Sequence, residues 1–272
     1  MIKLDSPNFL IEDVLETILI GNIWGHQTER AVRSSMIASS TDFISLLRAE
    51  SIHTLKPRAI PTGPTKEDVI NLYSAEFSSE GSNGHHYYSQ IRLLARYGMC
   101  SYCKISYADT LDHYFSKSRF PLLCLEPTNL VPCCSKCNRH LGSAPPKNLS
   151  ECTPHPYVGL PDGVWLNARI VDFGASLPSF VFSCCPPTVW PDHKIDQIKK
   201  MFDRLRLSES YAAVSGRIAA RLARLAEKHA QSDFEKTVHE LYQTEKDDDP
   251  NSVLSACYRE TLKSGWYPLD NP

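Results

Sequence analysis

The sequence predicts an α+β protein in which a short, cysteine-rich module is set among mostly helical flanks. Three observations carry this reading. Residues 98–145 are rich in cysteine and turn residues, are poor in helical period, and hold two Cys-x2-Cys pairs, Cys100/Cys103 and Cys134/Cys137. Apolar residues recur at helical spacing on both sides of that stretch. Between the module and the C-terminal helices, Val164 to Val171 and Ser179 to Phe182 alternate as strands do. Three regions are expected: a helical one over 1–95, the module over 96–150, and strands followed by helices over 151–272.

Taken in order, Leu10, Val14, Leu15, Ile18 and Leu19 share one face of an amphipathic helix. The breaker-rich run from Lys56 to Pro64 ends this first part. Thr65 with Asp68 has the form of a capping box, opening a helix through about Ser78. Glu80 to Gly84 is a turn, and a second helix from about His86 leads to Tyr97. Beyond His193 the period is again helical, with Ile195, Ile198, Met201, Phe202 and Leu205 on one stripe and Ile218, Leu222 and Leu225 on another. Two more helices follow, parted by the acidic stretch from Lys246 to Pro250.

Length and charge exclude several classes. With 272 residues and 42 % hydrophobic content the chain can bury a core. The apolar run from Phe9 to Trp24 is interrupted by Glu12, Asp13 and Glu16, which suits neither a spanning helix nor a secretory leader. A cytoplasmic location and no membrane association are expected. The net charge of −2 gives no global attraction to nucleic acid. Residues 92–140, however, hold seven Lys/Arg against three acids, so the module is locally basic.

Thirty residues separate the two cysteine pairs. Each pair can place two thiolates on one ion, and four close a tetrahedral zinc site with no position left for substrate. Such a site is structural, and in a short region it supplies much of the folding energy. Four free core cysteines are the bland alternative, and Cys133 can stand in for Cys134. Cys124, Cys152, Cys184, Cys185 and Cys257 read as buried, inert thiols.

Between the pairs lie Asp112-His113 at the end of a short strand, then Asn129, then Asn138 directly after Cys137 and expected to open a helix. Phosphodiester hydrolysis needs a base, a cation and correct placement. His113 suits the base. Asp112 and Asn138 are hard oxygen ligands that favour Mg²⁺ or Mn²⁺. Asn129 can orient the imidazole or tie down the connecting loop.

At these residues the chain resembles the HNH (ββα-metal) endonucleases, in an HNN version with a four-cysteine zinc site. The resemblance is carried by Cys100-Ser-Tyr-Cys103, Leu111-Asp-His-Tyr-Phe-Ser-Lys-Ser118, Thr128-Asn-Leu-Val-Pro132 and Cys134-Ser-Lys-Cys-Asn138. It implies a zinc-stapled ββα-metal module in which His113 activates water, Asp112 and Asn138 hold the catalytic metal, and Asn129 supports the loop. Leu72-Tyr73, Gly84, His155-Pro-Tyr157 and Asn251 through Trp266 add a weaker similarity to stand-alone bacterial HNH proteins. Those work with an ATPase partner in anti-phage defence, as in Septu-type systems. Nucleic acid is then the substrate, with DNA placed ahead of RNA such as tRNA.

Lys117, Arg119, Arg139 and His140 are candidate phosphate contacts, the last two because early helix positions favour anions. His85 and His86 read as an exposed turn and His155 as a packed loop residue. Lys199, Lys200, Arg204, Arg206, Arg217, Arg221 and Arg224 form either a solvated helix face or an extension of the basic surface. The residues allow two rival readings. A zinc-stabilised module that binds nucleic acid or a partner without cutting has no need of an Asp-His dipeptide. A zinc deaminase needs a His-x-Glu upstream of Pro-Cys-x-x-Cys, and the chain has neither.

Overall fold

The computed structural model describes residues 3–19, 24–171 and 179–268, which form two compact units, 1–159 and 160–272. No described helix is long and apolar enough to cross a membrane.

In the first unit, helix α1 (Ile11–Ile18) buries Val14 and Leu15, and Asp13 accepts the Leu10 amide at 2.8 Å. The long helix α2 (His26–Arg48) turns Val32, Met36 and Phe43 inward. The expected capping box is present: Thr65 and Asp68 cap each other at the start of α3 (Lys66–Asn71). The helix then loosens into a π turn over Leu72–Phe77. Gly84 ends the following turn because an added Cβ there would lie 2.6 Å from the Glu76 carbonyl oxygen. Helix α4 (His85–Leu93) follows, ending earlier than its apolar pattern predicts.

Strands β1 (Thr110–His113) and β2 (Leu130–Cys133) pair antiparallel, with Asp112 opposite Val131 and His113 opposite Leu130. Helix α5 (Ser135–Leu141) completes a strand–strand–helix unit. Its start departs from the sequence reading. Asn138 does not open the helix; Cys134 is the N-cap, its sulfur accepting the Cys137 amide at 3.4 Å. Leu111 and Leu130 belong to the same core as Leu15, Met36, Val69 and Ile91. Residues 1–95 and 96–150 therefore share one unit, because two four-residue strands bury too little on their own.

In the second unit, β3 (Leu166–Val171) pairs antiparallel with β4 (Ser179–Cys184), close to the expected strands. Helices α6 (Asp192–Arg204), α7 (Leu207–Ala226), α8 (Gln231–Asp248) and α9 (Val253–Ser264) follow. Arg206 separates α6 from α7 in a left-handed conformation. Asn251, between α8 and α9, is buried and holds the start of β3. Its Oδ1 accepts the amides of Trp165 and Leu166 at 2.7 and 3.1 Å, and its Nδ2 donates to the Gly163 carbonyl at 2.9 Å. Arg259 donates to the Leu166 carbonyl beside it.

Candidate active site and metal centre

The four cysteines of the two pairs converge. Their sulfurs all lie within 4.8 Å of one another and all four residues are buried, with Cys103 Sγ 3.9 Å from Cys134 Sγ. A tetrahedral zinc–thiolate site has sulfur–sulfur edges of about 3.8 Å, given metal–sulfur bonds of about 2.3 Å. The cluster thus has the size and chemistry to hold a metal ion such as zinc. Mutual hydrogen bonding pushes the Cys100 thiol up and draws Cys103 down, so the free thiols cannot all ionise together without a cation between them. Cys133 is not part of the cluster: it lies on β2 opposite Thr110, buried, and the alternative that it replaces Cys134 is set aside.

The cluster includes the N-cap of α5, and Asn138 on that helix bonds the backbone of β1. Asp112 is 5 % exposed, and its Oδ2 accepts the Tyr102 hydroxyl at 3.0 Å. Burial raises its carboxyl to about 6, and the Tyr102 bond opposes this. Asn138, half-buried on α5, donates from Nδ2 to the Leu111 carbonyl at 3.4 Å, which leaves its Oδ1 as the ligand-type atom. The Asp112 and Asn138 oxygens suit a hard cation by chemistry, and Asn138 bonds the strand that bears Asp112.

His113 is half-buried at the end of β1, with Nε2 3.0 Å from the Cys124 carbonyl oxygen. A carbonyl only accepts, so Nε2 carries the proton and Nδ1 is the basic nitrogen. Burial lowers this imidazole to about 3, which keeps it neutral. Its ring meets the Tyr73 ring at 4.5 Å, edge on, and Lys117 Nζ lies 4.5 Å from the centroid of that same Tyr73 ring. Burial also pulls the half-buried Lys117 ammonium down. Tyr73, supplied by the π turn, is the neighbour that motif reading passed over as a site residue. It lies forty residues from His113 in sequence, and nothing in the local spacing joins the two.

Asn129 is fully buried and all its side-chain bonds go to backbone. Oδ1 accepts the Phe115 amide at 2.7 Å, and Nδ2 donates to the carbonyls of Phe115 and Leu123, both at 3.1 Å. It ties both ends of the loop after β1 and does not bond the imidazole. Arg119 is exposed on that loop. Arg139 and His140 lie in the last turn of α5, not the first, so helix-terminal attraction of anions does not apply to them. They lie there because the helix opens at Ser135, ahead of Asn138. His85 and His86 form the first turn of α4, their Nδ1 atoms bonded to the carbonyls of Ser78 and Asn83. Cys185 is exposed and Cys184 half-buried, contrary to the expectation of buried thiols, since both fall where β4 leaves its sheet. All seven basic residues from Lys199 to Arg224 are exposed.

His155 is packed as expected, 4 % exposed, with Nε2 3.1 Å from the Thr128 carbonyl oxygen and its ring against Tyr114. Burial lowers it from 6.5 to about 3. Because the folded value lies below the unfolded one, the unfolded chain binds the proton first on acidification. Its contribution to stability is complete above about pH 6.5 and is lost progressively as pH falls towards 3. Between pH 7 and 5 this amounts to about 2 kcal/mol. Urea midpoints measured at those two pH values should show the loss, and His155→Gln should make the dependence shallower. An unchanged slope in that variant would remove His155 as a source.

No family model matches the chain, and no solved structure matches it. A curated relative is protein ea31 of Escherichia phage lambda, 25 % identical over 187 residues. The match takes in 66 % of this chain and spans about 62 % of the length of that relative.

Proposed function

We propose that the chain is a metal-dependent nuclease of the HNH type, hydrolysing phosphodiester bonds in nucleic acid. The observation that supports this best is the bond from Asn138 on α5 to the Leu111 carbonyl of β1, next to Asp112-His113, in a strand–strand–helix unit beside a cluster of four cysteines. A closed sulfur set suits a structural Zn²⁺. A separate divalent cation, Mg²⁺ or Mn²⁺ held by Asp112 and Asn138, supplies charge neutralisation at the phosphate.

The chain's own residues do the rest. The Cys124 carbonyl holds the His113 ring and sets its tautomer, so Nδ1 can take a proton from water. An imidazole near 3 is a weak base, but an anionic phosphodiester bound beside it raises the value again. Lys117, resting on Tyr73 near the imidazole, is placed to meet that phosphate. Arg119, Arg139 and His140 are more distant candidates for positioning the strand. The role in anti-phage defence with an ATPase partner rests on the family resemblance alone.

The test is a cleavage assay on plasmid, single-stranded DNA and tRNA with Mg²⁺ or Mn²⁺, comparing native chain with His113→Ala. Loss of a general base costs about 10²–10⁴-fold in rate. Metal-dependent cutting that falls by this amount, with zinc content unchanged, is the expected result. Equal cutting by both proteins would remove His113 as the base. Silence of both, with any ATPase encoded beside it also present, would favour a module that binds without cutting.

A further inference from the structure

Ahead of β1 the chain presents large side chains to solvent where it has no packing reason to do so. Leu93, Tyr97 and Tyr107 are 82 %, 75 % and 79 % exposed. Backbone bonds bring the segments that carry Tyr97 and Tyr107 side by side. Met99 forms a β-bridge with Tyr107, and the Ala108 amide donates to the Gly98 carbonyl at 2.9 Å. Arg92, from the last turn of α4, donates to the Ala108 carbonyl at 3.3 Å. The Arg96 guanidinium lies 5.2 Å from the Tyr97 ring centroid. From residue 92 to 111 the charges are Arg92, Arg96 and Lys104 against Asp109. Asp109 is already engaged, accepting both the amide and the hydroxyl of Ser135 at 2.7 Å.

Tyr97 has a second peculiarity. Its φ of +54° is left-handed, a conformation that disfavours a bulky side chain, and Gly98 follows at +69°. A glycine at 97 would adopt this turn without strain. Arg96 also donates to the Tyr97 hydroxyl at 3.5 Å, and backbone outliers of this kind concentrate where a surface has work to perform.

We propose that Tyr97 and Tyr107, flanked by Arg92 and Arg96, form a stacking platform for single-stranded nucleic acid. Aromatic faces take unstacked bases of any sequence, while the guanidinium groups meet the phosphates between them. A duplex keeps its bases stacked and offers these rings nothing but its ends. The platform stands at the approach to β1, whose far end carries His113. This reading rests on the nuclease proposal for the presence of nucleic acid, and it adds the strand state of the substrate.

Binding is measured without added divalent cation, by fluorescence anisotropy of a labelled oligothymidylate and of a closed hairpin duplex. The proteins are native chain, Tyr97→Gly, Tyr107→Ala, and Tyr97→Phe with Tyr107→Phe. Each ring removed is expected to weaken single-strand binding at least about fivefold, with duplex binding unmoved and the phenylalanine pair near native. Tyr97→Gly is expected to raise the melting temperature or leave it unchanged, which separates the loss from misfolding. Native affinity in the glycine and alanine variants would overturn the platform. So would equal losses for both probes, or no single-strand binding by the native chain, which would leave a protein partner as the occupant. Native binding without cleavage would sink the nuclease reading and leave the platform standing; cleavage with unaffected variants would do the reverse.

Discussion

Stripping the ion from Cys100, Cys103, Cys134 and Cys137 is expected to unfold the strand–strand–helix unit and to remove any activity that depends on it. Strands β1 and β2 contribute four residues each, and α5 seven. An element set that small does not hold itself together in water. Metal binding in comparable zinc-dependent modules contributes on the order of 10 kcal/mol, comparable to the whole net stability of a domain. Hydrogen exchange after chelation should show protection lost over residues 98–141, with α6 to α9 in the second unit retaining theirs. Native mass spectrometry should give one zinc per chain. Cys134→Ala is expected to be the most damaging of the four alanine variants, because that sulfur also caps α5, whereas Cys134→Ser keeps a capping oxygen and loses the metal ligand alone. Cys133→Ser should keep full zinc content while costing ordinary core stability. A zinc-free chain with unchanged protection would refute the structural role of the cluster.

The second large effect is expected at Asn129. Replacing it with alanine would leave the Phe115 amide and the Phe115 carbonyl without this partner in a fully buried place, while the Leu123 carbonyl would keep the Glu126 amide at 3.2 Å. An orphaned buried backbone group costs about 1–3 kcal/mol, so the variant should lose about 2–4 kcal/mol in urea unfolding. Asn129→Asp should be no better. Its Oδ1 would still accept from Phe115, but the other oxygen would face two carbonyls that have nothing to accept from it. A loss below about 1 kcal/mol in the alanine variant would mean that water or relaxed backbone satisfies the loop. Under the nuclease proposal, cleavage by either variant is expected to fall together with stability, because Asn129 holds the loop that follows His113.

The cysteine pairs, the capping box at Thr65 and the strand pair near residues 166–184 were legible because each rests on local spacing. The clustering of four sulfurs follows from chemistry that works only at one geometry. Contacts made by chance of fold were not legible. Tyr73 reaches His113 because a π turn rotates it there, and the Cys124 carbonyl reaches Nε2 from a loop with no motif. The start of α5 was misjudged because cysteine is an unusual N-cap, so Ser135 gave no boundary signal and Asn138 did. The boundary after Gly159 was hidden for a different reason. A core shared between α1, α2 and β2 is built from residues more than a hundred positions apart, which no window of sequence displays.

The Asn251 clasp has a consequence for the order in which the chain matures during synthesis. It joins groups 85 and 86 residues apart, so the hairpin of β3 and β4 must wait for the ribosome to deliver almost all of the second unit. The first unit waits for far less. Its last long-range bond, from the Leu4 amide to the Pro156 carbonyl, can form once about 160 residues have emerged. Translation therefore favours vectorial assembly, the half with the cysteine cluster closing first and the helical half afterwards as a separate cooperative event.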